Sequence, residues 1–323
     1  MIFFDHMLWI VVLALLLDAL LGDPDWLWKR FPHPVTVIGK AIDWTDKRLN
    51  TNDLSSQVRR LNGLLLTGSL TVGALAIGYI LQDLLEEIPF GEVLIAALGA
   101  ILIAQKSLYE HVAAVRDALR TNGLEAGRAA VSRIVGRNPQ ALDESGVSRA
   151  AIESCAENFS DGVVAPVFWF ALLGLPGILA YKAINTADSM IGHKTERYQE
   201  FGWASARLDD LVNLPASRLA GLLICVGAFA VGTAPKKAFS VMMSDAGLHR
   251  SPNAGWPEAA MAGALGIALA GPRHYASYSV DDPYMNEMGR KSASHEDITK
   301  ALKVMFFACG VQVLALAALS IPF

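Results

Sequence analysis

The sequence predicts an all-α polytopic membrane protein with about five full spans, one or two broken or re-entrant helices, and cytoplasmic helical loops. Three observations carry this. Hydrophobic residues fill 53% of the 323 positions against 18% charged, and mean hydropathy is positive at +0.36. Apolar runs near the roughly 20 residues that a span requires recur along the chain. All 27 lysines and arginines fall within 22–62, 104–161, 182–218, 235–257 and 272–303, as sorting by membrane side demands. The chain therefore reads as one integral-membrane domain over 1–323, with a cytoplasmic helical insert at 109–161. A net charge of −4 gives no sign of a nucleic-acid partner. The cysteines at 155, 225 and 309 are too scattered for a metal motif or a disulfide framework.

The first apolar run, counted from Ile2 to Leu21, lacks the positive start of a signal peptide and carries Asp18 near its end. It reads as an uncleaved first membrane segment, stopped at Gly22-Asp23-Pro24. Trp26 and Trp28 suit a membrane interface. Pro32 and Pro34 fix His33 in an extended turn; a structural or solvated histidine and a functional one both fit. Apolar positions at Ile38, Ala41, Ile42 and Leu49 predict an amphipathic helix. Gly63–Leu81 is a span, 82–92 a short acidic loop, and Val93–Leu108 a second span. His111–Leu142 has soluble character, with turns at Asn122-Gly123 and Asn138-Pro139. A helix over Asp143–Ser160 follows.

Val163–Ala180 is apolar but interrupted by Gly174-Leu175-Pro176-Gly177, which predicts a broken helix or a re-entrant hairpin. Leu219–Thr233 is a span of marginal length, Glu258–Ala270 a short helix of small residues, and Ala301–Ile321 a full span. The charge distribution places the N-terminus and 82–92 outside, and 22–62 and 104–161 in the cytoplasm. With 182–218 also cytoplasmic, 163–181 enters and leaves on one side.

Chemistry concentrates where polar segments meet apolar ones. Glu153, Glu157 and Asp161 stand at four-residue steps, one acidic stripe on a helix, with Asn158 beside it. Mg²⁺, which takes carboxylate oxygens and shares its other positions with water and phosphate, would relieve the repulsion; a solvated helix end explains the same residues. Lys182, Asn185, Asp188 and Ser189 share a face of the next helix, a phosphate-suited cation beside metal-suited groups. An ordinary amphipathic helix would look alike. Arg207, Asp209, Asp210 and Asn213 crowd together, again as a site or as a solvated helix start. Ser251, Asn253 and Gly255 precede a helix carrying Glu258, as caps or as an anion site made of free N–H groups. Together they suggest a cytoplasm-facing cavity for a metal–phosphate ligand. No Walker-type loop is present.

These blocks resemble the adenosylcobinamide-phosphate synthase family of cobalamin biosynthesis, polytopic membrane enzymes, over nearly the whole chain. The carriers are Leu17-Asp18-Ala19-Leu20-Leu21-Gly22-Asp23-Pro24, His33-Pro34-Val35 with Ile38-Gly39, and Ala151-Ile152-Glu153-Ser154 through Ala156-Glu157-Asn158-Phe159-Ser160-Asp161-Gly162. Further on stand Tyr181-Lys182-Ala183-Ile184-Asn185-Thr186-Ala187-Asp188-Ser189-Met190, Glu196-Arg197-Tyr198, Phe201-Gly202-Trp203, Ala206-Arg207-Leu208-Asp209-Asp210 and Ser251-Pro252-Asn253-Ala254-Gly255-Trp256-Pro257-Glu258. His193-Lys194-Thr195 departs from the aromatic-containing pattern of the family at that turn. The resemblance implies that adenosylcobyric acid and aminopropanol phosphate are joined by an amide bond, with ATP as co-substrate and Mg²⁺.

On that reading Glu153, Glu157, Asn158 and Asp188 are the catalytic candidates. His33, Lys182, Asn185, Ser189, Arg207, Ser251, Asn253, Gly255 and Glu258 are the substrate- and phosphate-binding ones. Glu153, Glu157, Asp161, Asp188, Asp209 and Asp210 are the metal ligands, with Asp188 completing the stripe. The expected setting is the inner membrane, with membrane lipid around the chain and the active site facing the cytoplasm. Self-association or association with other corrinoid enzymes is expected. A Mg²⁺-dependent intramembrane prenyltransferase and a non-catalytic membrane sensor or transporter are the alternatives from other classes.

Overall fold

The computed structural model describes residues 2–135, 139–274, 279–280 and 282–321. Its helices in chain order are α1 (Ile2–Leu21), α2 (Asp25–Trp28), α3 (Pro34–Leu49), α4 (Ser56–Glu86), α5 (Gly91–Leu102), α6 (Gln105–Val131), α7 (Glu144–Phe159), α8 (Ala165–Ile191), α9 (Trp203–Gly227), α10 (Pro235–Asp245), α11 (Gly255–Leu265) and α12 (His295–Leu319). The chain is an all-α polytopic membrane protein. Among the described residues five helical stretches are long and apolar enough to cross a membrane: Ser56–Glu86, Gly91–Val131, Glu144–Ile191, Trp203–Val231 and His295–Leu319. A shorter apolar stretch at His6–Leu21 lies within α1.

Two compact units divide the chain. The first comprises Met1–Ala104, Ala165–Asn213 and Leu316–Phe323; the second comprises Gln105–Val164 and Leu214–Ala315. In the first, α4 and α5 pack on α8, and α1 packs on α5. The sequence expected a break in the apolar segment, and α8 has one: Gly174 takes φ +68° and ψ −152°, which ends one helical segment and begins another. Pro176 falls in the first turn of the second segment, where its missing N–H costs no helical bond. The Leu175 N–H exposed by the break donates to Gln82 Oε1 at 2.8 Å. Gly78 lets α4 approach this closely, since a Cβ there would lie 2.5 Å from the Pro176 backbone. Gln82 is therefore buried helix, not the start of an acidic loop, and α4 runs on to Glu86.

The segment between α8 and α9 is fastened to α3 and α4. Asp46, buried on α3, accepts hydrogen bonds from Arg197 Nη2 and Asn50 Nδ2, each at 2.7 Å. Asn50 Oδ1 in turn accepts from Arg59 Nε at 2.7 Å, and Arg59 donates to the Arg197 carbonyl. Phe201 is fully buried with Ile42, Leu66, Ala187 and Ile191. The Glu196-Arg197-Tyr198 and Phe201-Gly202-Trp203 blocks are thus braces that set the position of α9.

In the second unit α6 packs on α7, and α7 and α10 pack on α11. Gly123 breaks α6 with φ +78°, at the expected Asn122-Gly123 turn. Asn138 of the other expected turn lies outside the described residues. Asp143 caps α7 by accepting from Gly146 N at 2.7 Å. The span expected over Val93–Leu108 lies within the stretch Gly91–Val131 but is interrupted, since α5 ends at Leu102, Ile103 is extended, and α6 resumes at Gln105. The helix expected to reach Ala270 ends at Leu265, where Gly266 turns left-handed with φ +65°. Strands replace its remainder: β1 (Leu269–Ala270) pairs antiparallel with β4 (Tyr284–Met285), and β2 (Arg273–His274) with β3 (Ser279–Val280).

Candidate functional site

In the first unit the second segment of α8 faces the start of α9. Asp209 is buried, and each of its carboxylate oxygens accepts from an amide: Asn185 Nδ2 at 3.3 Å and Asn213 Nδ2 at 2.9 Å. Asn213 is aligned by the buried Tyr181 hydroxyl, which donates to its Oδ1 at 3.0 Å. Two further half-buried carboxylates, Asp188 and Asp210, are close enough to repel Asp209. Arg207 Nη1 stands 3.8 Å from Asp210 Oδ2. Lys194 also attracts Asp210, and His193 attracts Asp188. Asp188 itself is wedged over Gly192, where a Cβ would come 1.9 Å from its Oδ1. Asp209 thus has two further carboxylates within electrostatic reach, with exposed cations near them.

His33 and Lys182 lie within electrostatic reach of each other. His33 caps α3, its Nδ1 accepting from Val35 N at 3.2 Å while Nε2 sits 3.8 Å from Asp23 Oδ1. That arrangement puts the proton of the neutral ring on Nε2. Burial and the Lys182 charge hold the His33 pKa below its ordinary value, against the opposing pull of Asp23 and a backbone contact with Ile101. Ser189, expected at the phosphate, instead donates to the Asn185 carbonyl at 2.9 Å, a bond internal to the helix. An apolar cavity of about 510 Å³ lies in the same unit. Pro32 and Pro34, which flank His33, line it together with Leu175, Leu179 and Ala183 of the second α8 segment.

The acidic stripe of α7 belongs to the second unit and is built differently. Glu153 is buried and its Oε1 accepts from Ala270 N at 2.9 Å. Ala270 has φ +56°, a left-handed conformation unusual for a residue with a Cβ. Glu153 therefore fixes the turn between β1 and β2. Glu157 is exposed at the end of α7. Asp161 falls in a π-helical turn, Ser160–Val164, where i→i+5 bonding replaces the α-helical repeat on which the four-residue stripe rests. Asn158 bends back on its own helix, donating to the Ser154 carbonyl at 2.9 Å and to Ser154 Oγ at 3.1 Å.

The Ser251–Glu258 block is also directed inward. The N–H groups of Asn253 and Ala254 donate to Ser251 Oγ, both at 3.2 Å. Those two amides are therefore already satisfied, which removes them from the expected anion site. Asn253 is buried, and its Oδ1 accepts from Ser217 Oγ at 3.0 Å and Arg218 Nη1 at 2.8 Å. Arg218 covers the Trp256 ring at 4.6 Å. Gly255 has no room for a side chain, since a Cβ would lie 2.1 Å from the Ala246 carbonyl oxygen. Buried Glu258 stands 3.8 Å from His249 Nε2.

Among the described residues no three His, Cys, Asp or Glu side chains converge as a ready-made metal site. The carboxylates of the first unit still suit Mg²⁺, which binds through one or two carboxylates and leaves its other positions to water and phosphate. Sequence reasoning missed three participants. His193 and Lys194 lie in the turn after α8 and gave no periodic signal. Tyr181 opens the block that contains Asn185 but was given no role, although its spacing of four from Asn185 was visible.

The CobD/Cbib protein family model matches residues 11–305. A cobalamin biosynthesis protein CobD of Rhizobium meliloti is 54% identical over 320 residues, covering 98% of this chain and 98% of its own length. A protein of the same name from Brucella anthropi is 53% identical, covering 92% of each chain. Another from Rhodobacter capsulatus is 49% identical over 85% of this chain and 86% of its own. No solved structure matches.

Proposed function

The chain belongs to the CobD/Cbib protein family, and from that premise we propose that it is an adenosylcobinamide-phosphate synthase. It forms an amide between a propionate carboxylate of adenosylcobyric acid and the amine of aminopropanol phosphate, using ATP. A carboxylate is a poor acyl donor, so one of its oxygens attacks the terminal phosphorus of ATP. This yields an acyl phosphate and ADP. The free amine nitrogen then attacks the acyl carbon, inorganic phosphate leaves, and the nitrogen gives up a proton to solvent.

The observation that carries this reading to a site is the triad of Asp188, Asp209 and Asp210 beside Arg207 and Lys194. These acids would hold Mg²⁺. Bound there, the ion would neutralise phosphate oxygens, the main requirement of phosphoryl transfer. Asn185, Asn213 and Tyr181 orient Asp209. Lys194 and Lys182 supply positive charge for phosphates, and Arg207 stands beside Asp210 at 3.8 Å. The apolar cavity lined by Leu175 and Leu179 has room for one edge of the corrinoid. Glu157 and Asp161 remain ligand candidates of the second unit, while Glu153 holds the Ala270 turn. The inner membrane is the proposed location, with this site on the cytoplasmic side. Relatives named for cobalamin biosynthesis leave the prenyltransferase and the sensor or transporter without support.

The test is ADP release by purified protein. Release should require Mg²⁺, adenosylcobyric acid and aminopropanol phosphate together, with the amide product found by mass spectrometry. ADP release unaffected by omitting the corrinoid, or no amide product under any combination, would refute the assignment.

A further inference from the structure

A second groove in the first unit, about 310 Å³, runs between α4 and the start of α9. Leu64, Thr67, Gly68, Trp203, Leu208 and Leu211 line it, with Arg207 at its edge. Its floor offers no polar handle, because the Thr67 hydroxyl is already bonded to the Gly63 carbonyl and to Ser205 Oγ. Its mouth is cationic. The Arg60 guanidinium lies 4.0 Å from the centre of the Trp203 ring, and Arg207 follows Trp203 by one helical turn. Both helices belong to stretches able to cross a membrane, and Trp203 and Arg60 stand at or near the beginnings of those stretches. Leu64 is 52% and Leu211 60% exposed, so the groove opens sideways, where a bilayer offers acyl chains.

We propose that this groove binds an anionic phospholipid, its phosphate between Arg60 and Arg207 and one acyl chain along Gly68 and Leu208. Tryptophan and arginine at a span end are suited to the headgroup level. The apolar floor accepts methylenes and leaves no buried polar atom unmatched. Arg207 meets Asp210 only at 3.8 Å and is 70% exposed, so it can turn to a headgroup without breaking a close bond. The site does not depend on which reaction the protein performs.

The probe is phosphatidylglycerol against phosphatidylcholine with identical chains, added to protein in neutral detergent and read by native mass spectrometry. Phosphatidylglycerol should be retained about tenfold better. Arg60→Ala should lower its retention about fivefold, the usual effect of one basic residue at a lipid surface, and Arg60→Lys should restore most of it. Gly68→Phe should lower retention of both lipids; a Cβ at Gly68 meets no atom within 4 Å, so the larger side chain fills the groove without a clash at its root. Melting of each variant without lipid confirms that it folds, and Gly68→Phe carries the test alone if Arg60→Ala does not. Equal retention of the two lipids, retention unchanged by Gly68→Phe, or displacement of the lipid by inorganic phosphate would overturn the proposal.

Discussion

The carboxylates on α8 and α9 and those on α7 both gather where polar segments meet apolar ones, but they have opposite surroundings in structure. On α7 the buried acid, Glu153, accepts the backbone N–H of Ala270 at 2.9 Å. On α8 and α9 two amides satisfy Asp209, yet Asp188 and Asp210 crowd beside it and the nearest cations stand at a distance. A fold that brings like charges this near one another carries a cost that a bound cation would lower. Clustering of acids in sequence therefore does not identify a metal site; what matters is how many of their oxygens the fold has already used.

The strongest way to break this comparison is to remove one charge from each region. Asp188→Asn or Asp210→Asn should lower kcat/KM by roughly 100-fold or more, the scale of losing a group that handles transition-state charge. The Mg²⁺ concentration for half-maximal rate should rise. Glu153→Gln keeps an oxygen for Ala270 N and should retain activity within about threefold at ordinary Mg²⁺. Initial rates against Mg²⁺ decide it. If Glu153→Gln loses its Mg²⁺ response and Asp188→Asn does not, the roles assigned to the two regions are reversed.

Lys182→Ala sharpens the reading of the first unit. Loss of a charge-assisted contact costs about 1.5–3 kcal/mol. The rate with the phosphorylated amine should therefore fall at least about tenfold, and the rate with the free alcohol should fall less. Equal losses with both amines would detach Lys182 from phosphate recognition.

Much of the architecture was legible in the sequence because it follows from local rules. Gly174 with Pro176 marked the break in α8, Gly123 the break in α6, and Asp143 the start of α7. What was not legible depended on long-range pairing. Nothing near Gln82 indicates that its side chain closes a helix break 93 residues away. Glu153 and Ala270 are 117 residues apart, so the stripe appeared to consist of uncommitted acids. The Ser251 block read equally as caps or as an anion site because the sequence shows potential donors and cannot show that Ser251 has already taken them. Asp188, Asp209 and Asp210 were named individually, but their grouping required the braces at Asp46 and Phe201.

Glu153→Ala tests the brace by itself. It leaves the Ala270 N–H buried without an acceptor, at a cost of about 1–3 kcal/mol. Denaturant or thermal unfolding should show that loss, and Glu153→Gln should recover most of it. A Glu153→Ala protein as stable as the parent would mean that the hydrogen bond to Ala270 contributes nothing, which would return Glu153 to the list of ligand candidates.

The smallest expected effect separates bracing from chemistry within the first unit itself. His33 caps α3 through a lone pair on Nδ1, so the cap exists only while that nitrogen is unprotonated. Its folded pKa lies below the ordinary value of 6.5, chiefly because of burial. The unfolded chain therefore binds more protons than the folded one as pH falls below about 6.5, and stability falls with it. Above 6.5 the contribution is fully present; it is lost between 6.5 and the lower folded value. The melting midpoint at pH 5 should be lower than at pH 7.5, after correction for other groups by comparison with His33→Asn. Asparagine also caps a helix start but does not titrate, so this variant should show a flatter pH dependence between those values. A parent and a variant with identical pH profiles would show that His33 does not titrate against the fold in this range.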